Sequence, residues 1–255
     1  QKVRKFDVNR LKSTFKFLLN HPKIARIYVT DSNAFIFKQR QKEILNFIVE
    51  NNSFKKPVIF EVNPEYLEDE LIDLVVQMGA EELAFGFQST SPLVLNNINR
   101  KFNYERYCEN VLKLKTRFPN IKTWFGLILG LPGDTYHSFL DSLEFAIQLR
   151  PYSLYIHELL VLPGSEFFNK ASEFNIVFDK KPPHKIISNG SMSSDEYNEL
   201  KYLGFSVSLL HHVEPVRKMI LEYYNGLTGR RLVDLFIEFV DFLQNKDFFP
   251  TKESI

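Results

Sequence analysis

Five short runs rich in β-branched and aromatic residues dominate the first 160 positions: 24–30, 57–62, 82–87, 121–129 and 152–160. Their starts are separated by 33, 25, 39 and 31 residues, room for one strand, one helix and two turns each. Amphipathic patterns fill the intervals. Over 67–78, Leu67, Leu71, Leu74, Val75 and Met78 share one helical face, and Gly79 is a natural stop. After Asp134, Phe139, Leu143, Ala146 and Ile147 do the same, with Asp134 or Thr135 as N-cap. Over 8–19, Leu11, Phe15, Leu18 and Leu19 form a third stripe. Alternation of this kind predicts an α/β chain with a parallel sheet, open or closed into a barrel.

From about residue 180 the pattern changes. Lys180-Lys181-Pro182-Pro183 and Ser188-Asn189-Gly190-Ser191 read as linker. Beyond them, Ser194-Asp195 can cap a helix containing Tyr197, Leu200, Leu203 and Leu210, and helices follow over 214–224 and 229–242, interrupted at Asn225-Gly226. The expected organisation is an α/β domain over 1–179 and an all-helical extension over 180–255.

Composition bounds the chemistry. The 25 Phe, 11 Tyr and 1 Trp demand a large buried core. Lys plus Arg total 32 against 31 acidic residues, a net charge of +1, which argues against a nucleic-acid-coating surface. No apolar run approaches the roughly 18 residues of a membrane span, so a cytoplasmic protein is expected. Cys108 is the one cysteine, which excludes an internal disulfide and any iron–sulfur or zinc site built from several thiolates of this chain. Beside Val111 and Leu112 on a helical face, it reads as an inert buried thiol. The start, Gln1-Lys2-Val3-Arg4-Lys5, is charged and lacks methionine, so the chain is expected to begin inside a longer protein.

Ligands of parallel α/β folds bind at the carboxyl ends of the strands. Those ends here are Thr30-Asp31-Ser32-Asn33, Glu61-Val62-Asn63-Pro64, Gly86-Phe87-Gln88-Ser89, Gly130-Leu131-Pro132-Gly133-Asp134-Thr135 and, after His157-Glu158, Leu162-Pro163-Gly164-Ser165. Carboxylates, an amide and tight turns gather there, which suits either a binding rim or plain helix capping. The Gly130–Gly133 turn lacks the lysine of a phosphate-binding loop, and the adjacent His211-His212 point to different helix faces, so neither is assigned a ligand. His157 and Glu158 point to opposite sides of their strand, and one of them can face a substrate.

In that order and spacing, Glu61-Val62-Asn63-Pro64, Gly86-Phe87-Gln88-Ser89, the run from Gly126 to Thr135, and Leu162-Pro163-Gly164-Ser165-Glu166 resemble the core of radical S-adenosylmethionine enzymes. The nearer likeness is to the branch with an N-terminal cobalamin-binding domain, whose members are often labelled magnesium-protoporphyrin IX monomethyl ester oxidative cyclase. The oxygen-independent coproporphyrinogen oxidases are more distant. The resemblance covers about residues 4–178. It implies a partial TIM-type (β/α) barrel and a [4Fe–4S] cluster on a CxxxCxxC loop. It also implies S-adenosylmethionine reduced there to a radical that attacks a substrate, tetrapyrroles being one candidate class, with cobalamin as a possible further cofactor.

The resemblance also implies roles for residues. Arg100, twelve positions after Gln88, would grip the cofactor's carboxylate, or instead stabilise the end of the preceding helix. Gln88 would hydrogen-bond the cofactor's ribose or amino-acid part, or make an ordinary rim contact. Glu61 would accept from the ammonium or ribose, or pair with a neighbouring lysine. Thr30, Asp31 and Ser32 stand where relatives have a glycine-rich turn for the methionyl amino group, and Asp31 could contribute a carboxylate instead. Leu160 and Val161 would lie near the adenine, or serve ordinary core packing, and Gly126 stands where relatives have a ribose-binding aspartate, so that contact should be missing.

The CxxxCxxC loop itself is missing. The expectation is a truncated piece of a larger enzyme, lacking the barrel's first strand, holding no cofactor or metal and inactive alone. It would depend on the N-terminal remainder of the same polypeptide and act on a small molecule, without nucleic acid or a membrane span. Two other readings stay open: a non-catalytic binding module on a barrel scaffold, and an unrelated α/β enzyme using Glu61 and Glu158 as acid and base.

Overall fold

A computed structural model describes residues 5–31 and 34–246. The chain divides into two compact units, Gln1–Gly86 with Asn103–Trp124, and Phe87–Phe102 with Phe125–Ile255.

The first unit runs α1 (Val8–Asn20), β1 (Ile27–Val29), α2 (Lys38–Asn51), β2 (Val58–Val62), a 3₁₀ turn (Pro64–Tyr66), α3 (Asp69–Gln77) and β3 (Glu82–Gly86). β1 pairs in parallel with β2, Val29 opposite Phe60, and β2 with β3, Glu61 opposite Ala84. Alternation sorts the side chains: Phe60, Val62, Leu83 and Phe85 are buried, while Glu61 and Ala84 on the other face are half-exposed. The α3 stripe is buried as expected, and Gly79 ends it at φ +82°. Asp7 caps α1, and the buried Lys56 closes its other end, its Nζ donating to Leu18 O at 3.1 Å and to His21 O.

The second unit opens with α4 (Pro92–Asn97). α5 (Tyr104–Arg117) returns to the first unit, capped by Asn103, and the chain continues through β4 (Lys122–Leu129), α6 (Tyr136–Gln148), β5 (Ser153–Glu158), α7 (Glu166–Asn169), β6 (Val177–Phe178) and β7 (Ile186–Ser188). The five strands β1 to β5 lie in sequential order in one sheet alternating with helices. Cross-strand bonds run from Lys122 N–H to Glu81 O (2.9 Å), from Phe87 N–H to Gly126 O (3.2 Å) and from Leu159 N–H to Leu129 O (3.0 Å). The α/β class expected from sequence is the one observed. Phe125, Leu127 and Leu129 of β4 and Phe139, Leu143, Ala146 and Ile147 of α6 are fully buried, as the apolar patterns require.

Helices complete the chain: α8 (Ser194–His211), α9 (Glu214–Met219), a π-helical turn (Ile220–Tyr224), α10 (Asn225–Thr228) and α11 (Leu232–Gln244). Four details differ from the sequence reading. The segment read as linker holds β7, antiparallel to β6, so the extension is helical only from Ser194. The α8 capping box uses Ser193 with Glu196, one residue earlier than expected. Asn225-Gly226 does not interrupt the helix, which ends at Gly229, φ +66°, while Asn225 Nδ2 donates to Arg230 O. Cys108 is half-buried rather than sequestered, with Leu112 67% exposed nearby, and burial pushes its thiol pKa up.

Candidate functional site

In the first unit, Thr30 and Asp31 are exposed immediately beyond β1. Ser32 lies outside the described residues. Ala34 N–H donates to Glu61 O at 3.4 Å, so the turn after β1 folds back onto the end of β2. The parallel register then brings Thr30 and Asp31 to the same strand-end edge as Glu61. The rest of the Glu61–Pro64 motif is architectural. Asn63 accepts from Glu65 N–H at 3.1 Å, and Pro64 O receives Asn110 Nδ2 of α5 at 2.8 Å. Glu61 itself stands half-exposed at the end of β2.

In the second unit, Gln88 follows β3 with its Oε1 buried and no hydrogen-bond donor reaching it among the described residues. The adjoining turn is firmly held. Ser142 Oγ accepts from Thr90 N–H at 2.9 Å and contacts Ser89 Oγ at 3.3 Å, while Ser91 caps α4. α4 closes through Asn99 (φ +53°), and Arg100 N–H donates to Leu95 O at 2.8 Å. Gln88 and the half-buried Arg100 therefore flank one short, well-anchored helix.

The turn after β4 is built by its glycines and gripped by two amides. A Cβ on Gly130 (φ +91°) would lie 2.9 Å from Ile186 Cγ2, and one on Gly133 (φ +84°) 2.6 Å from Asn97 Nδ2. Asn97 donates to Pro132 O at 3.0 Å, and Asn189 donates to Gly130 O and Leu131 O at 3.3 and 3.2 Å. Asp134 is fully buried, Ser138 Oγ donates to its Oδ1, and no donor reaches Oδ2 among the described residues. Burial pushes its carboxyl up to about 6, against the opposing hydrogen bonds of Ser138 and the Thr135 backbone.

On β5, Glu158 is tied down. It accepts from Lys185 Nζ at 2.8 Å and Tyr197 OH at 3.0 Å, with Lys201 Nζ at 3.6 Å. Burial raises its pKa, but these donors outweigh burial and leave it below the ordinary value. A carboxylate so held is a weaker proton donor than an ordinary glutamate. His157 occupies the opposite face and is exposed. Leu160 is 40% exposed and bridges to Lys185, whereas Val161 is buried with its N–H committed to His184 O at 2.9 Å. Val161 thus offers a ligand neither its N–H nor an open side chain. Among the described residues no group of three or more His, Cys, Asp or Glu side chains could hold a metal ion. No helix among them is long and apolar enough to cross a membrane.

The sequence reading missed the clamps of Asn97, Asn189, Lys185 and Tyr197. Each acts over a long sequence separation, and the local signal around Asn189 is that of an ordinary turn.

The profile of the Radical SAM superfamily matches residues 1–146. This chain belongs to that superfamily. Among curated proteins, it is 29% identical over 150 residues to the tRNA-2-methylthio-N(6)-dimethylallyladenosine synthase of Alkaliphilus oremlandii, covering 58% of this chain and 32% of the relative. It is 25% identical over 206 residues to the heme chaperone HemW of Buchnera aphidicola, covering 74% of this chain and 54% of the relative. The chain thus spans about a third to a half of the length of these relatives. Among solved structures, the radical S-adenosylmethionine methyltransferase TsrM of Kitasatospora setae, with cobalamin and a [4Fe-4S] cluster bound, superposes with a TM-score of 0.59 at 16% identity. That match covers 76% of this chain and 38% of TsrM.

Proposed function

We propose that this chain supplies most of the catalytic α/β domain of a radical S-adenosylmethionine enzyme that transforms a small-molecule substrate, tetrapyrroles among the candidates. The whole protein would carry a [4Fe–4S] cluster and bind S-adenosylmethionine. Cobalamin as a further cofactor is supported by the fold shared with TsrM and by the likeness of the strand-end motifs to the cobalamin branch. The residues of this chain do not fit the cluster, because one half-buried cysteine cannot provide three thiolates. The N-terminal remainder of the same polypeptide would provide them, and this chain alone would be inactive.

The chain does fit the cofactor's organic part. The observation that carries this reading is Gln88. A buried amide oxygen without a donor costs about 1–3 kcal/mol, and a rigid turn maintains that cost at a strand end. A ribose hydroxyl or the methionyl ammonium would remove it. Arg100, at the far end of α4, has the planar fork that takes a carboxylate in bidentate fashion. Within the first unit, Asp31 and Glu61 carry carboxylates of the type that accepts from an ammonium or hydroxyls. When bound, S-adenosylmethionine supplies the radical; this chain's residues orient it. The absence of a nucleic-acid partner belongs to the same reading, supported by the net charge of +1, and a cytoplasmic location is part of the proposal.

The test is anaerobic reconstitution of the full-length protein with iron and sulfide, followed by assay for 5′-deoxyadenosine. Reductive cleavage of S-adenosylmethionine that falls at least about tenfold in Arg100→Ala is expected. Full-length protein that takes up no iron and forms no 5′-deoxyadenosine would overturn the proposal in favour of a non-catalytic binding module, the reading that the single cysteine favours.

A further inference from the structure

The net charge of +1 conceals a strong asymmetry. The first 56 residues hold 13 Lys or Arg against 4 Asp or Glu, and the remaining residues 19 against 27. Some cations of the first unit are paired, Lys12 with Glu43 and Lys42 with Glu70. Where α1 ends beside the turn from α2 to β2, the pairing stops: Lys23, Lys55 and the buried Lys56 make no ion pair among the described residues. Lys56 commits its ammonium to Leu18 O and His21 O and lies 5.6 Å from the centroid of the Phe54 ring, which is 65% exposed. Phe17, 62% exposed, has its ring centroid 5.3 Å from that of His21, so both phenyl rings belong to one patch. The turn carrying Phe54 is firmly held, because Asn52 Oδ1 accepts from Lys56 N–H at 2.9 Å and Asn52 Nδ2 donates to Lys56 O at 2.8 Å.

This patch sits at the amino-terminal ends of β1 and β2, where Ile27 N–H donates to Pro57 O at 2.9 Å, whereas Thr30, Asp31 and Glu61 stand at the carboxyl ends. We propose that Phe17, Lys23, Phe54 and Lys55 form a docking surface for an acidic partner protein. Two neighbouring phenyl rings standing in water supply apolar anchors, the kind of group that carries protein association once it is covered. The lysines around them lack carboxylates, so charge complementarity selects a partner that brings Asp or Glu to the rim of the contact. A tightly bound nucleic acid draws its affinity from about 6–10 phosphate contacts, and three lysines, one of them buried and bonded to carbonyls, supply too few. A protein seated here leaves the strand-end edge of the first unit open. Docking requires neither a cluster nor a cofactor, so the surface goes beyond the proposed function and does not depend on it.

The test uses this 255-residue chain and fluorescence anisotropy of labelled probes. The probes are an amphipathic helical peptide of glutamate and leucine, the same peptide with glutamine in place of glutamate, and single-stranded oligouridylate. The glutamate peptide is expected to bind with a Kd below about 100 μM and to weaken as salt rises. Lys23→Glu with Lys55→Glu should weaken it at least about tenfold, and Phe17→Ser with Phe54→Ser at least about fivefold. All four side chains are exposed, so the variants fold, which circular dichroism verifies. Lys180→Glu with Lys181→Glu makes the same change in net charge on exposed residues of the second unit and should leave binding unchanged. No binding of the glutamate peptide, equal binding of the glutamine peptide, an unaffected patch variant, or equal weakening by the Lys180 and Lys181 changes would each overturn the proposal. Oligouridylate binding more tightly than the glutamate peptide would overturn it in favour of a nucleic-acid surface.

Discussion

Glu144 Oε2 accepts the backbone N–H of Val233 at 2.8 Å, so a buried carboxylate of α6 serves as the N-terminal cap of α11. α11 has no cap of its own, because Arg231 stands at the N-cap position and makes no side-chain bond there. A negative charge at a helix N-terminus also meets the positive end of its dipole.

Glu144→Ala is expected to destabilise the protein by about 1–3 kcal/mol, because the Val233 N–H is left buried without an acceptor. In thermal unfolding this is a fall of about 2–10 °C, with Glu144→Gln retaining much of the loss-free behaviour through its amide oxygen. Equal destabilisation by both variants would show that the charge, not the hydrogen bond, carries the effect.

Asp134 should make stability fall as pH rises. Its folded carboxyl is raised to about 6 from 3.8, so the folded state binds the proton more tightly than the unfolded state. The stabilising contribution is complete below about pH 4 and is lost as pH climbs through 6. Urea unfolding of wild type against Asp134→Asn between pH 4 and 7 should reveal a difference that grows by about 2–3 kcal/mol in the variant's favour. A constant difference across that range would refute the assignment.

Two glycines with similar backbone angles should respond unequally to alanine. Gly79→Ala (φ +82°) meets open space and carries only left-handed strain, about 1–2 kcal/mol. Gly130→Ala (φ +91°) adds a 2.9 Å contact with Ile186 and a 3.1 Å contact with Tyr197, and should cost about 2–5 kcal/mol. Chemical denaturation of the two variants decides this, and equal costs would contradict the crowding at Gly130.

Gln88→Met should separate folding from function. Replacing an amide whose oxygen is buried without a donor among the described residues by an apolar side chain of similar size is expected to leave stability unchanged or raise it by up to about 1 kcal/mol. If the proposed function holds, the same change in the full-length protein raises the S-adenosylmethionine concentration needed for half-maximal cleavage by about fivefold or more. Marked destabilisation with normal cofactor use would mean that the side chain serves the fold.

The parts of the molecule visible in the sequence are those written in local patterns. The α3 stripe from Leu71 to Val75 with Gly79 behind it, the alternation in β4 and the capping of α6 by Thr135 follow from periodicity and helix-end chemistry alone. The site was legible as positions rather than as contacts. Nothing around Gln88 in the sequence says that its oxygen is buried without a donor, and nothing around Glu158 says that Lys185 and Tyr197 bind it from 27 and 39 residues away. β7 escaped notice because a three-residue strand beside Ser188-Asn189-Gly190 has too short a pattern to compete with the turn signal. The Glu144 cap acts over 89 residues, beyond any local motif.

Asn189 holds Gly130 O and Leu131 O, and Ile186 fills the space that Gly130 leaves. The turn at the mouth of the fourth strand is thus shaped by amino acids that arrive more than fifty positions later. Cutting the polypeptide near residue 180 would strip that turn of its fasteners, so a minimal domain drawn from the βα repeats alone would lose the contour of its own entrance.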